Sequence, residues 1–259
     1  VKDLRKKGND GHHDVALLDE ALGKIKGAAT AINDVIKVRE NQQELLELES
    51  KWNGYEFSKA GRTIIKHGPL VKRCRRADKP FYFVLFSDVL VYGRKETLGT
   101  VDRYVHHREI QLEHSKVLSI SDESEKPVEE QSDDARAFQV LSDQKAFVVM
   151  ASNVADKDAW VDAVDKAVGR QRVRRGTVDQ ATPFAAVWTP DREQKSCTIC
   201  EKDFTVLRRR HHCRSCGRLA CKDCTSKRVL LKHIDSKSAV RCCDMCYDDL
   251  QDKEDDDDD

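Results

Sequence analysis

The spacing of hydrophobic positions changes period along the chain. Between about Asp14 and Ser50 there is no Pro, and Leu18, Leu22, Ile25, Ala29, Ile32 and Ile36 recur at steps of four and three, the repeat of one helical face. Asn41 to Glu49, NQQELLELE, continues in strong helix formers, and Asp14, after Gly11, suits the N-cap. At about 1.5 Å per residue this helix reaches on the order of 55 Å, so part of it must project or join two units. From Trp52 to about Gly169 the pattern becomes strand-like. GRTIIKHGPLVKR, FYFVLFSDVLVYGR, RYVHHREIQL, SKVLSISD, ARAFQVLS and KAFVVMAS are runs of β formers between polar turns, and residues 121–134 read as a loose loop. The segment closes on DKDAWVDAVDKAV, where Ala159, Trp160, Ala163, Val164 and Ala167 share a helical face. Strands followed by one amphipathic helix predict a small barrel plugged by that helix. The predicted class is α+β multidomain: a long N-terminal helix (1–51), a helix-capped β-barrel (52–170), a basic linker (171–187), a cysteine-rich block (188–250) and an acidic, disordered tail (251–259).

Composition sharpens this division. The chain has 259 residues, 36% of them charged, with 46 basic and 46 acidic side chains. The zero net charge conceals segregation, because RRRHHCR at 208–214 contrasts with EDDDDD at 254–259. With 39% hydrophobic residues, small cores are affordable and a single large one is not. No run of 18 or more apolar residues occurs, and the opening VKDLRKK has no secretory pattern, so membrane contact is expected to be peripheral. The absence of an initiator Met at that opening is expected of a piece of a longer protein.

Of ten cysteines, all but Cys74 fall after residue 196. They form four Cys-x-x-Cys pairs: Cys197/Cys200, Cys213/Cys216, Cys221/Cys224 and Cys243/Cys246. Without a secretory mark, such pairs read as metal ligands rather than disulfides. Eight thiolates suit two tetrahedral four-sulfur zinc sites, and the block is too small to fold on its own core, so zinc should supply much of its stability. Spacing alone admits a sequential or an interleaved pairing. All-thiolate sites leave no open coordination position, and no nucleophile triad is visible, so no enzymatic activity is expected of this chain.

The middle segment resembles a pleckstrin-homology domain through Gly68-Pro69-Leu70 in its first hairpin, FVLFSDVLVY at 83–92 and Trp160 in its final helix. The helix before it, with ALGKIKGAATAIN and ENQQELLEL, resembles the last helix of a Dbl-homology domain, although a plain coiled coil has similar periodicity. In the cysteine block, WTPD at 188–191, RRHHCR at 209–214 and Arg241-Cys242-Cys243 resemble the three signatures of the FYVE domain, WxxD, R(R/K)HHCR and RVC. Five residues between Asp191 and Cys197 and twelve between Cys200 and Cys213 agree with that family. The resemblance implies interleaved zinc binding: Cys197, Cys200, Cys221 and Cys224 on one ion, Cys213, Cys216, Cys243 and Cys246 on the other. Cys242, where the family has Val, is expected to be an apolar filler, and Ala220, where Phe is common, to loosen the local core.

The FYVE resemblance also assigns a ligand, phosphatidylinositol 3-phosphate. Planar arginines bind a phosphomonoester through paired, charge-assisted hydrogen bonds. The expected lipid-binding residues are Trp188, Asp191, Arg209, Arg210, His211, His212, Arg214 and Arg241. Among them Arg210, His212, Arg214 and Arg241 are the phosphate contacts, Asp191 accepts from inositol hydroxyls, and His211 helps to read the ring. Val206 and Leu207 match the loop by which this family dips into a bilayer. Histidine charge implies weaker binding as pH rises through about 6 to 8. Lys72, Arg73, Arg75, Arg76 and Lys79 crowd the first barrel hairpin, and we expect of them a nonspecific attraction to membranes. The acidic tail reads as solvated, or more sharply as a competitor for the basic pocket.

Taken together, the order of elements resembles FYVE-containing Rho guanine-nucleotide exchange factors of the faciogenital-dysplasia type. That implies a targeting region that brings an exchange factor for a Rho-family GTPase to endosomal or phagosomal membranes or actin-rich sites. The alternative is a coiled-coil, pleckstrin and FYVE adaptor without exchange activity. Nucleic acid is not an expected partner. The first helix carries an uncovered apolar stripe, which is expected to pack on the barrel, pair with another copy or drive self-association.

Overall fold

The computed structural model describes residues 13–98, 101–120, 132–177 and 183–256. Helix α1 (His13–Ser50) runs unbroken for 38 residues, starting one residue ahead of the expected cap. Its C-terminal end docks on the barrel, and Val15 near its start is also buried. Leu45 and Leu48 are buried with Trp52, Phe57, Val84 and Phe86. By contrast Leu18, Leu22, Ile25, Ile32 and Ile36 stay exposed.

Eight strands follow: β1 (Trp52–Asn53), β2 (Ile64–Lys72), β3 (Lys79–Phe86), β4 (Val89–Leu98), β5 (Val101–Gln111), β6 (Ser115–Ser119), β7 (Ala137–Ser142) and β8 (Ala146–Met150). They form one continuous sheet in the order β1-β5-β4-β3-β2-β8-β7-β6, antiparallel except where β1 joins β5. The predicted strand runs match these elements, and most of the loop expected at 121–134 lies outside the described residues. At the β4–β5 bulge next to Gly93, a Cβ on that glycine would sit 2.6 Å from the Trp52 ring, so only glycine lets the α1 junction lie flat on the sheet.

Helix α2 (Val154–Arg175) plugs the barrel through Trp160, Val164, Ala167 and Val168, which pack on Phe83, Leu85, Tyr92 and Phe138. Asn153 caps its start by accepting from the Asp156 N–H at 2.8 Å. Its end lies at Gly176, in the left-handed region at φ 69°, with Thr177 N–H donating to Arg172 C=O at 3.0 Å. The helix therefore runs past the expected boundary at 170. The basic run, which reads as a linker or as an extension of this helix, forms its last turns, where Arg172 donates to the Ser115 carbonyl at 2.9 Å.

The remaining chain lies against the barrel. Ala185 N–H donates to Ser142 C=O at 2.8 Å, and Val187 packs on Ala137, Val148 and Met150. Two short hairpins follow, β9 (His211–His212) with β10 (Leu219–Ala220) and β11 (Arg228–Val229) with β12 (Val240–Arg241), then helix α3 (Asp244–Asp256). The helix corrects the expectation of disorder from residue 251: no Gly or Pro interrupts residues 244–256, so the turn opened by the last cysteine pair continues. The side chains of the acidic run beyond Asp252 lie outside the described residues.

Candidate metal centres and headgroup pocket

The first of these hairpins places thiols by a tight backbone turn. In the β9–β10 hairpin the Cys213 N–H donates to Arg218 C=O at 3.0 Å and Gly217 N–H to Cys213 C=O at 3.1 Å. Gly217 is left-handed at φ 77°, and a Cβ there would meet the Val187 carbonyl oxygen at 2.0 Å, so this position both turns the hairpin and receives the segment leading from the barrel.

The structure brings the cysteines together as two groups, Cys197/Cys200/Cys221/Cys224 and Cys213/Cys216/Cys243/Cys246, with the ligand atoms of each within 4.8 Å of one another. The grouping is interleaved. Backbone N–H groups already point at sulfur, Cys221 to Cys197 Sγ and Cys243 to Cys213 Sγ, both at 3.3 Å. Burial opposes charge on Cys197, but the N–H groups of Cys200, Cys221 and Ile199 outweigh it and bring the thiol to about 6. The Cys216 thiol and the N–H groups of Cys216 and Cys243 bring Cys213 to about 4. Their neighbours respond oppositely: Cys216 is pushed up by its bond to Cys213, and Cys243, chiefly by burial, to about 11. Several thiolates cannot share so small a space unless a cation replaces their protons, which is the property of a structural metal site. Cys242 is fully buried with its Sγ 3.9 Å from Cys213 and lies outside both groups. Ala220 is fully buried beside Cys197 and Cys221.

Around these groups the basic residues divide by face. His212 points inward: it is 4% exposed, stacks on Trp188 at 4.7 Å between ring centroids, and lies 2.7 Å from the Thr189 carbonyl. His212 is expected as a phosphate contact; here, because a strand sends successive side chains to opposite faces, it lies opposite His211, on a face occupied by Trp188 and Thr189. His211 is half-buried, and burial followed by Arg241 and Lys222 push its charge loss below the usual histidine range. Arg209 and Arg210 are exposed, Arg209 donating to the Val206 carbonyl at 3.3 Å and Arg210 lying over the Phe204 ring. Arg241 donates to the Thr225 carbonyl at 2.7 Å, and its own carbonyl accepts from Arg214 N–H at 2.9 Å. Val206 and Leu207 form an apolar tip, 85% and 94% exposed.

The barrel contributes ion pairs to the finger that no sequence pattern announces. Asp191 Oδ2 lies 3.3 Å from Arg75 Nε, and its N–H donates to the Arg75 carbonyl at 2.9 Å. Arg192 pairs with Asp78 at 2.9 Å. Arg73 is engaged by Asp134 at 2.8 Å, and Lys72 is buried. Hence three of the five cations expected to attract membranes are committed within the molecule. The contact pairs are 61 to 116 residues apart, beyond the reach of any periodic signal.

Comparison with known proteins agrees with both units. Residues 187–252 match the FYVE zinc finger family and residues 58–167 the SOS1/NGEF-like PH domain. The chain is 36% identical over 196 residues to human pleckstrin homology domain-containing family F member 2, covering 75% of this chain and 74% of that protein. It is 29% identical over 250 residues to human FYVE, RhoGEF and PH domain-containing protein 6, covering 90% of this chain but 17% of that protein. Among solved structures, the linker-DH/PH domains of p115-RhoGEF share the fold of 63% of this chain and 50% of theirs, with a TM-score of 0.51 at 12% identity.

Proposed function

The chain belongs to the pleckstrin homology domain-containing family F, and from that membership we propose that it is a peripheral membrane-targeting protein that reads phosphatidylinositol 3-phosphate through its FYVE finger. The observation that carries this reading is the apolar tip Val206–Leu207, exposed beside the basic run Arg208–His211. An exposed apolar pair flanked by cations is what a charged bilayer surface rewards, at about 1.5–3 kcal/mol for each large side chain fully buried and roughly 1 kcal/mol per basic residue near anionic lipid. Each four-cysteine group holds one zinc ion, which fixes the hairpins; the ions supply structure and the chain supplies recognition. Arg209, Arg210, His211 and Arg241 bind the 3-phosphate, and Asp191 accepts from ring hydroxyls. Such a lipid directs the protein to endosomal or phagosomal membranes.

Vesicle binding tests this directly. Arg241→Gln should lower affinity for vesicles carrying the 3-phosphate lipid at least tenfold, and equal binding by the variant would remove Arg241 from the site.

A second reading makes the chain the targeting region of a Rho-family exchange factor, and the 29% identity over 250 residues to human FYVE, RhoGEF and PH domain-containing protein 6 favours it. Sequence identity favours the adaptor instead, at 36% to the family F relative against 29% to the exchange-factor relative. No acceleration of nucleotide release from Rho-family GTPases is therefore expected of this chain; measured acceleration would establish the second reading.

A further inference from the structure

One cysteine of the finger belongs to neither four-thiol group, yet it lies against one of them. Cys242 is fully buried. It shares a buried cluster with Cys213 and Cys243, on which Cys246 packs. Its Sγ is 3.9 Å from Cys213 Sγ. Cys216 and Cys243 of the same group are 3.9 Å apart, as are Cys200 and Cys221 of the other. Sulfurs around one tetrahedral zinc ion, each about 2.3 Å from the metal, lie about 3.8 Å from one another. Cys242 therefore stands at ligand spacing from a ligand, and five thiols gather where four are needed. The Cys197 group has no such neighbour, because every other cysteine of the finger is already a member of one group or the other.

Position distinguishes the five thiols. Cys216 is exposed, whereas Cys213, Cys242 and Cys243 are fully buried. Backbone contacts hold the inner ones: Cys243 N–H donates to Cys213 Sγ at 3.3 Å, and Cys242 N–H donates to Lys227 C=O at 3.0 Å. The ligand most open to oxidants and alkylating agents is thus backed by a buried thiol. A buried cysteine can serve as a small apolar residue, but packing alone does not require its sulfur to lie at this distance from a ligand.

We propose that Cys242 is a reserve zinc ligand, which takes the coordination position of Cys216 when that thiolate is lost. The inference rests on the reading that each four-cysteine group holds a zinc ion. In the reserve arrangement Cys213, Cys242, Cys243 and Cys246 hold the ion. Cys213 precedes Arg214 and Cys242 follows Arg241 in the chain, and Arg214 N–H donates to Arg241 C=O at 2.9 Å. The reserve ligand therefore keeps these two segments tied together after Cys216 is oxidised or alkylated.

The metal content of the full chain, measured after zinc loading and removal of the excess, tests this. The unsubstituted chain and Cys242→Val should each hold two ions. Cys216→Ser should also hold two, and Cys216→Ser combined with Cys242→Val should hold one. Cys200→Ser, in the group without a reserve thiol, should hold one. Cobalt in place of zinc supplies a second readout, because its sulfur-to-metal absorption grows with the number of thiolates bound. Cys216→Ser should keep the absorption of the unsubstituted chain, and the double variant should lose part of it. The reserve ligand is refuted if Cys216→Ser holds one ion, if adding Cys242→Val to it changes neither metal content nor absorption, or if Cys200→Ser keeps two ions. Fewer than two ions in the unsubstituted chain would instead overturn the two-zinc reading, and the reserve ligand with it.

Discussion

Lys145 and Leu207 each carry a cost in the isolated chain, one of buried charge and the other of exposed apolar surface. Lys145 is lowered to about 8 in the fold by burial and by Lys72, Arg108 and Arg214, against about 10.4 in an unfolded chain. The folded state therefore binds its proton more weakly. The resulting penalty is full below about pH 8 and is relieved as pH rises from there toward about 10.4. Lys145→Met should stabilise the fold near neutral pH by on the order of 1 kcal/mol after allowance for solvent screening, a gain that shrinks above pH 8; thermal melts across pH would show it. Leu207 is exposed without a partner. Leu207→Ala should weaken vesicle binding about tenfold without altering binding of the soluble headgroup, and a matched loss in both would place Leu207 in the finger core. Residues of this kind were unequally legible. Val206 and Leu207 stand beside a recognisable signature. Which of His211 and His212 faces outward needed the strand's registry with Leu219 and Ala220, and the pairing of Arg75 with Asp191 needed the tertiary fold.

Helices and hairpins follow local chemistry more closely. The four-three repeat of α1 from Leu18 to Ile36, continued by strong helix formers to Glu49, was readable as a single long helix. The repeat also predicts behaviour: Leu18, Leu22, Ile25, Ala29, Ile32 and Ile36 keep the spacing of a coiled-coil seam, and all but Ala29 are large apolar residues left exposed. Self-association of two copies through α1 is the expected result. Sedimentation equilibrium should find a dimer that Ile25→Lys with Ile32→Lys converts to monomer, and a monomer at all concentrations in the unsubstituted chain would refute the seam. Element ends were less legible. The stop of α2 at Gly176 rather than near 170, and the continuation of α3 to Asp256, depend on caps and on a thiol-anchored first turn, which composition hides behind charge.

At the scale of the whole molecule, stability is divided. The barrel has a continuous core around Trp160 and Phe83, while the finger's buried clusters consist largely of cysteine. Removing zinc with a chelator should unfold the finger and leave the barrel, giving loss of the Trp188–His212 stacking signal with retention of β-sheet circular dichroism; a single cooperative loss of both would contradict that division. Domain order was legible because cysteine spacing, strand alternation and helical repeat are separate signals in separate stretches. The contact between barrel and finger was not, because it pairs Arg75 with Asp191 and Asp78 with Arg192 across distant segments. The central claim, that a zinc-built finger reads a 3-phosphorylated inositol lipid, is tested most directly by co-sedimentation with vesicles carrying each phosphoinositide in turn, with and without a zinc chelator. The account predicts selective binding to the 3-phosphate lipid that the chelator abolishes. Binding that is equal across phosphoinositides, or that survives removal of zinc, would contradict it.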